Sequence, residues 1–148
     1  MKKTKHIGAI GEAFAKYRLT VLGYKIFSPD IEDSEYDFIA VQGNVLIPIQ
    51  VKTTEHVIND TMLFNFRKTR SNTQKNFSEK YYNKIVFILV CLENSYIGCT
   101  ITKQSCLRIR LNNPKTINQF SSNRAVNYEL TVERLLSCVE TLRVAPKS

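Results

Sequence analysis

Gly43-Asn44 sits between two runs of strand-forming residues, Phe38 to Gln42 and Val45 to Lys52, and this pair constrains the fold more than any other feature. Glycine at the first central position suits a type II′ turn, whose twist matches that of the strands it joins. Pairing Gln42 with Val45 sets the register. Val41 is then expected to face Leu46, Phe38 to face Ile49, and Asp37 to lie across from Gln50. Side chains alternate along a strand, so Gln50 and Lys52 share one face, roughly 6 to 7 Å apart, with Asp37 beside them.

The same alternation puts Phe38, Ala40, Val45, Ile47, Ile49 and Val51 on one face, and Ile39, Val41, Leu46 and Pro48 on the other. Both faces are apolar, as in a sheet covered on both sides. Polar groups ending such a strand pair are partly desolvated, which is costly unless they bind one another or a ligand. The bland alternative is an Asp-Lys pair at a strand end, worth little at a surface. Pro48 cannot donate to a ladder and prefers an edge or a bulge, which would shift the register.

A helix is expected over about residues 5–22. Ile7, Ile10, Phe14, Tyr17 and Val21 follow the three-four spacing of a buried stripe. Glu12 falls roughly opposite, with Gly8, Ala15 and Leu19, a face of small and apolar residues that can approach a sheet closely. Periodicity alone leaves Glu12 equally readable as an exposed partner of Lys16 at i, i+4.

A helix containing Glu12, then Asp37, then Gln50-Val51-Lys52 resembles the PD-(D/E)XK nucleases, the fold of many restriction enzymes and Holliday-junction resolvases. The match covers roughly the first 55 residues, and the GEAFAKYRL context is similar to the helix that contributes a carboxylate there. Within the superfamily the chain looks most like the small group I intron-encoded homing endonucleases, which carry QxK in place of (D/E)xK. The resemblance implies an α/β (α+β) fold with a central mixed sheet flanked by helices, its core running helix, three-stranded meander, helix, strand. The literal Pro29-Asp30 lies 20 residues before Gln50 in the acidic run Asp30-Ile31-Glu32-Asp33-Ser34-Glu35, which reads as a solvated loop. Asp37, 13 residues before Gln50 and in the hairpin, is the better match to the family's aspartate.

Each residue type has a chemical reason. Phosphodiester hydrolysis needs a nucleophilic water and stabilisation of charge on the phosphorane and the departing oxygen. Mg2+, hard and oxygen-loving, is usually held by one or two carboxylates with substrate phosphate and water. By the family pattern Asp37 would be the central ligand, Gln50 would offer its amide oxygen, Val51 its backbone carbonyl, and Glu12 a second carboxylate. Lys52 would orient or deprotonate the attacking water. A neutral Gln50 binds a cation less strongly than a carboxylate, so the scissile phosphate would have to help complete the site.

The charge distribution agrees with a polyanionic partner. Net charge is +8, yet residues 1–60 balance at −1 and residues 61–148 at +9. Arg67, Lys68, Arg70, Lys75 and Lys80 are interleaved with amides and aromatics able to contact phosphates and base edges. Arg108 and Arg110 leave one face of an expected strand, followed by Asn112, Asn113 and Lys115. A strand or ribbon carrying paired arginines can enter a major groove and read guanine. Each stretch also has the plain reading of a solvated basic segment.

The remainder reads as scaffold. At 148 residues the chain suits one domain over 1–148, with a catalytic core at about 5–100 and DNA-contacting and oligomerisation elements at about 62–84 and 103–145. Ile85 to Cys91 is a continuous apolar run, too short to span a membrane, expected as a buried strand, with Tyr96 to Ile101 returning beside it. Thr131 can cap a last helix with Leu135, Leu136, Val139 and Leu142 on its stripe. The stripe serves the core or an interface of a homo-oligomer, a dimer or tetramer as the family resemblance suggests. Cys91, Cys99, Cys106 and Cys138 lack zinc-site spacing, and buried free thiols in a reducing cytoplasm are the simplest account. No secretion signal follows the basic start. These features point to a Mg-dependent site-specific endonuclease acting on double-stranded DNA, with a Holliday-junction resolvase or a non-catalytic DNA-binding module on a nuclease fold as alternatives.

Overall fold

The computed structural model of the protein describes residues 3–30, 35–66, 68–70, 73–75, 85–111 and 123–143. Helix α1 spans Lys3–Val21 and is followed by β1 (Lys25–Phe27), β2 (Phe38–Gln42) and β3 (Val45–Thr54). Then come β4 (Thr61–Asn65), β5 (Lys68–Arg70), β6 (Thr73–Lys75), β7 (Val86–Cys91), β8 (Tyr96–Thr100) and β9 (Cys106–Arg110). Two helices close the described chain, α2 (Ala125–Tyr128) and α3 (Val132–Arg143).

The central sheet has the order β1-β2-β3-β7-β8. β1, β2 and β3 form the expected antiparallel meander, β3 and β7 run parallel, and β8 returns antiparallel to β7. The fold is therefore α+β with a mixed sheet flanked by helices. The turn sets the hairpin as the sequence predicts. Gly43 has φ +59°, Asn44 keeps a negative φ as a type II′ turn requires, and Gln42 faces Val45 through to Phe38 facing Ile49. Pro48 does not shift the register. It lies opposite Ile39 at a position whose amide would point away from β2, and β7 begins pairing only at Ile49.

Two apolar clusters meet on opposite faces of this sheet. One joins Ala15 and Leu19 of α1 to Phe38, Ala40, Ile47, Ile49 and Val51, to Val86, Ile88 and Val90, and to Leu135 and Cys138 of α3. The other packs Phe87, Leu89 and Cys91 against Met62, Phe64, Leu107 and Ile109 of a separate β4–β9 ribbon. Strand β7 is thus buried on both sides, which explains its unbroken apolar run. No helix among the described residues is long and apolar enough to cross a membrane.

Several expectations are corrected. Of the expected stripe, Ile10, Tyr17 and Val21 are exposed, at 42, 61 and 65 %, while Ile7 and Phe14 are half-buried, Phe14 against the core; the fully buried residues Ala15 and Leu19 lie on the opposite face of α1. Steric fit decides this: Gly11 meets Thr53 of β3 so closely that any Cβ there would overlap the threonine side chain. Small residues allow that approach and the larger stripe does not. The second face of the hairpin is only partly covered, with Leu46 exposed. Where the family pattern expects a helix after the meander, the described part of the crossover holds β4, β5 and β6. In α3, capped by the Thr131 hydroxyl accepting from the Arg134 amide at 3.0 Å, Leu136 faces solvent and Cys138 takes the buried position. Cys106 is exposed, unlike the other three cysteines.

Candidate active site

The candidate site is a notch created by unequal strand lengths. β2 pairs with β3 only as far as Phe38–Ile49, whereas β3 continues to Thr54. Past that point the β2-facing amide of Val51 loses its ladder partner, and Asp37 replaces it. The Asp37 amide donates to the Ile49 carbonyl at 2.7 Å, and its Oδ2 accepts from the Val51 amide at 2.7 Å. Asp37 therefore does not continue the ladder opposite Gln50; it turns its carboxylate along β3. Within one strand residue the N–H and C=O point to the same edge, so the Val51 carbonyl also leaves on the side of Asp37.

Gln50 and Lys52 lie opposite Phe87 and Leu89 of β7, on the face that carries the ribbon. Burial raises the Asp37 pKa above 3.8, the Val51 amide opposes that rise, Glu12 adds to it, and Lys52 and Lys16 lower it. Burial also lowers the Lys52 pKa below 10.5, against the favourable field of Asp37. Both charges are thus held where solvent supports them poorly, a condition that perturbed functional groups share. A depression of about 310 Å³ beside Lys52 is walled by Ile7 and Gly8 of α1 and by Val51 to Glu55.

Glu12 reaches the same place from α1. Its half-buried carboxylate sits 3.5 Å from Lys16 Nζ, so the i, i+4 pair forms, and its charge also acts on Asp37. Lys16, which sequence reasoning treated only as a partner for Glu12, belongs to the cluster: Nζ lies 5.6 Å from the Phe38 ring centre and 3.4 Å from Ser28 Oγ. Its i+4 spacing from Glu12 on the sheet-facing side of α1 was the available signal.

A family model described as PD-(D/E)XK endonuclease matches residues 2–131. The chain belongs to the PD-(D/E)XK endonuclease family. Its fold is similar to that of a solved bacterial homing endonuclease, I-Ssp6803I, with TM-score 0.74 at 15 % identity, covering 99 % of this chain and all of the other. Comparison with curated protein sequences gives no match. This PD-(D/E)XK chain is thus an endonuclease by family, and DNA is the substrate its fold implies. Nucleases of the family generally use divalent metals.

The donors fit such an ion in kind. The Asp37 and Glu12 carboxylates, the Gln50 amide oxygen and the Val51 carbonyl are all hard oxygen ligands, and a cation would relieve the cost of burying Asp37. No group of three His, Cys, Asp or Glu residues clusters as a metal site among the described residues, so an ion held here would need phosphate and water as its remaining ligands.

Of the expected DNA contacts, Arg108 and Arg110 project from the exposed face of β9, as their alternation predicts. Lys68 pairs opposite Lys75 and Arg70 opposite Thr73 in the β5–β6 hairpin. Arg67, Lys80, Asn112 and Lys115 lie outside the described residues.

Proposed function

We propose that the protein is a Mg2+-dependent, site-specific endonuclease that cuts both strands of a long DNA duplex, a homing enzyme of the QxK kind. The observation that carries this reading is the Asp37 carboxylate held at the Val51 amide, at 2.7 Å, in the electrostatic field of Lys52 and Glu12.

In this reading Asp37, Glu12, Gln50 and the Val51 carbonyl hold the metal, which when bound supplies Lewis-acid activation of the phosphate and an acidified water. The rest falls to the chain. Lys52, its pKa lowered by burial, takes a proton from the attacking water more readily than a solvated lysine does. Asp37 positions the Lys52 amine and is itself fixed by the Val51 amide. Lys16 offsets the charge of the two carboxylates. Arg108 and Arg110 contact the duplex beyond the site, helped by Arg67, Lys68, Arg70, Lys75, Lys80, Asn112 and Lys115. Residues 1–148 act as one domain in an intracellular homo-oligomer, dimer or tetramer, because one such site faces one strand at a time.

The test is Mg2+-dependent cleavage by the wild type and Lys52→Ala of an intronless allele and of an immobile four-way junction. Site-specific double-strand cuts lost in the variant support the homing reading. Junction-only cutting makes it a resolvase, and binding without cutting leaves a DNA-binding module.

A further inference from the structure

We propose that both strands of the β4–β9 ribbon, not the arginines of β9 alone, read base pairs in the major groove, with Leu63 and Asn65 of β4 as specificity-determining residues. The inference rests on the endonuclease reading above and names how that site selects its substrate.

The ribbon presents a fixed face. Met62, Phe64, Leu107 and Ile109 are anchored in the core against Phe87 and Leu89, so the ribbon cannot roll. Alternation then turns Thr61, Leu63 and Asn65 outward from β4, and Cys106, Arg108 and Arg110 outward from β9. The register pairs them rung by rung: Thr61 with Arg110, Leu63 with Arg108, Asn65 with Cys106. Rungs on one face repeat about every 6.8 Å, close to two base-pair rises, so three rungs span about four base-pair steps. Two strands about 4.8 Å apart fit a major groove about 12 Å wide.

The chemistry along the face is that of base edges rather than of phosphates alone. Arg108 suits guanine, an amide such as Asn65 suits adenine, and Leu63, an exposed leucine at 47 % on a polar ribbon, suits the thymine methyl. The ribbon also connects to the candidate site. The depression at Lys52 shares Thr54 and Glu55 with a larger one of about 500 Å³ that reaches Leu63 and Arg108. That one shares Thr61 and Arg108 with a third of about 350 Å³ that reaches Arg110. The three depressions thus adjoin one another at Thr54, Glu55, Thr61 and Arg108, between Lys52 and the ribbon.

Cys106 provides a built-in reporter, being the one exposed thiol among the four cysteines. The experiment has two parts: selection of cleaved sequences from a randomised duplex library by wild type and Leu63→Ser, and alkylation of wild-type Cys106 by iodoacetamide with and without the selected duplex, magnesium omitted. The expected results are about tenfold loss of thymine preference at one position in Leu63→Ser, and alkylation slowed about tenfold by the duplex. A wild type that cuts DNA while Cys106 reacts equally fast with and without duplex overturns the proposal and leaves the endonuclease reading standing. Unchanged base preference in Leu63→Ser overturns the role of β4. A wild type that neither binds nor cuts any duplex removes the underlying reading and this inference with it.

Discussion

Asp37 completes the backbone of a strand it does not belong to: its Oδ2 takes the Val51 amide at 2.7 Å where β2 has already ended. The same side chain thus closes the sheet edge and carries the charge proposed to hold the metal. Its removal should therefore separate stability from activity.

Asp37→Asn should abolish cleavage yet melt higher than wild type at pH 7. Asparagine keeps an acceptor for Val51 and removes a charge whose cost comes chiefly from burial. The sign follows from linkage. Because the folded pKa of Asp37 is raised, its favourable contribution is full below the ordinary 3.8 and lost as pH rises through the folded value. Thermal melts at pH 7 and pH 3 check this: the gain should be present at pH 7 and vanish at pH 3.

Lys52→Ala should lower the cleavage rate by about 10² to 10⁴, the usual worth of a positioned proton-transfer group, while duplex affinity changes little. For the wild type, the lowered Lys52 pKa places the rise of rate with pH below the ordinary 10.5. Single-turnover rates across pH at saturating protein test both statements.

Glu12→Ala distinguishes the two roles available to this carboxylate. The Lys16 pair on its own is worth a few tenths of a kcal/mol, about 0.3 to 0.5. If Glu12 also serves the site, cleavage should fall at least about 10² while chemical denaturation moves only by that small amount. A rate within about twofold of wild type would reduce Glu12 to the ion pair.

Gly11→Ala should destabilise by about 1 to 3 kcal/mol, the usual cost of overpacking, because the added methyl collides with Thr53. Cleavage should fall with it, since α1 carries Glu12. Thr53→Gly in the same chain should restore part of both losses, read by urea denaturation and by rate.

Leu135→Ala should cost about 2 to 5 kcal/mol, and Leu136→Ala should stay within about 0.5 kcal/mol, although the two are neighbours on α3. Leu135 is fully buried and Leu136 is 45 % exposed. Equal losses in denaturant titrations would mean that Leu136 is covered in solution by another subunit.

Features set by neighbouring residues are legible in the sequence, whereas those set by distant contacts are not. The hairpin register was legible because Gly43 selects the turn and the turn counts out the pairs to Phe38–Ile49. The departure of Asp37 from that register was not legible, because it depends on where β2 stops. On α1 two apolar stripes compete, and the choice is made by Thr53, more than thirty residues away in sequence, which admits Gly11 but no larger residue. Leu136 and Cys138 present the same difficulty on α3. The partner of Arg108 could not be named from sequence, since Leu63 lies 45 residues earlier and nothing local specifies their pairing.

The parallel join between β3 and β7 pairs Ile49 with Val86 and Thr54 with Cys91, 37 residues apart. Such long-range closure is slow relative to local hairpin formation. During translation, at about 5 to 20 residues per second, the hairpin bearing Asp37 and Lys52 emerges about 2 to 7 seconds before β7. Until then Lys52 has no apolar wall beside it and keeps an ordinary, solvated ammonium. If Lys52 serves the site as proposed, the nascent chain cannot cut until the second half of the sheet closes onto the first.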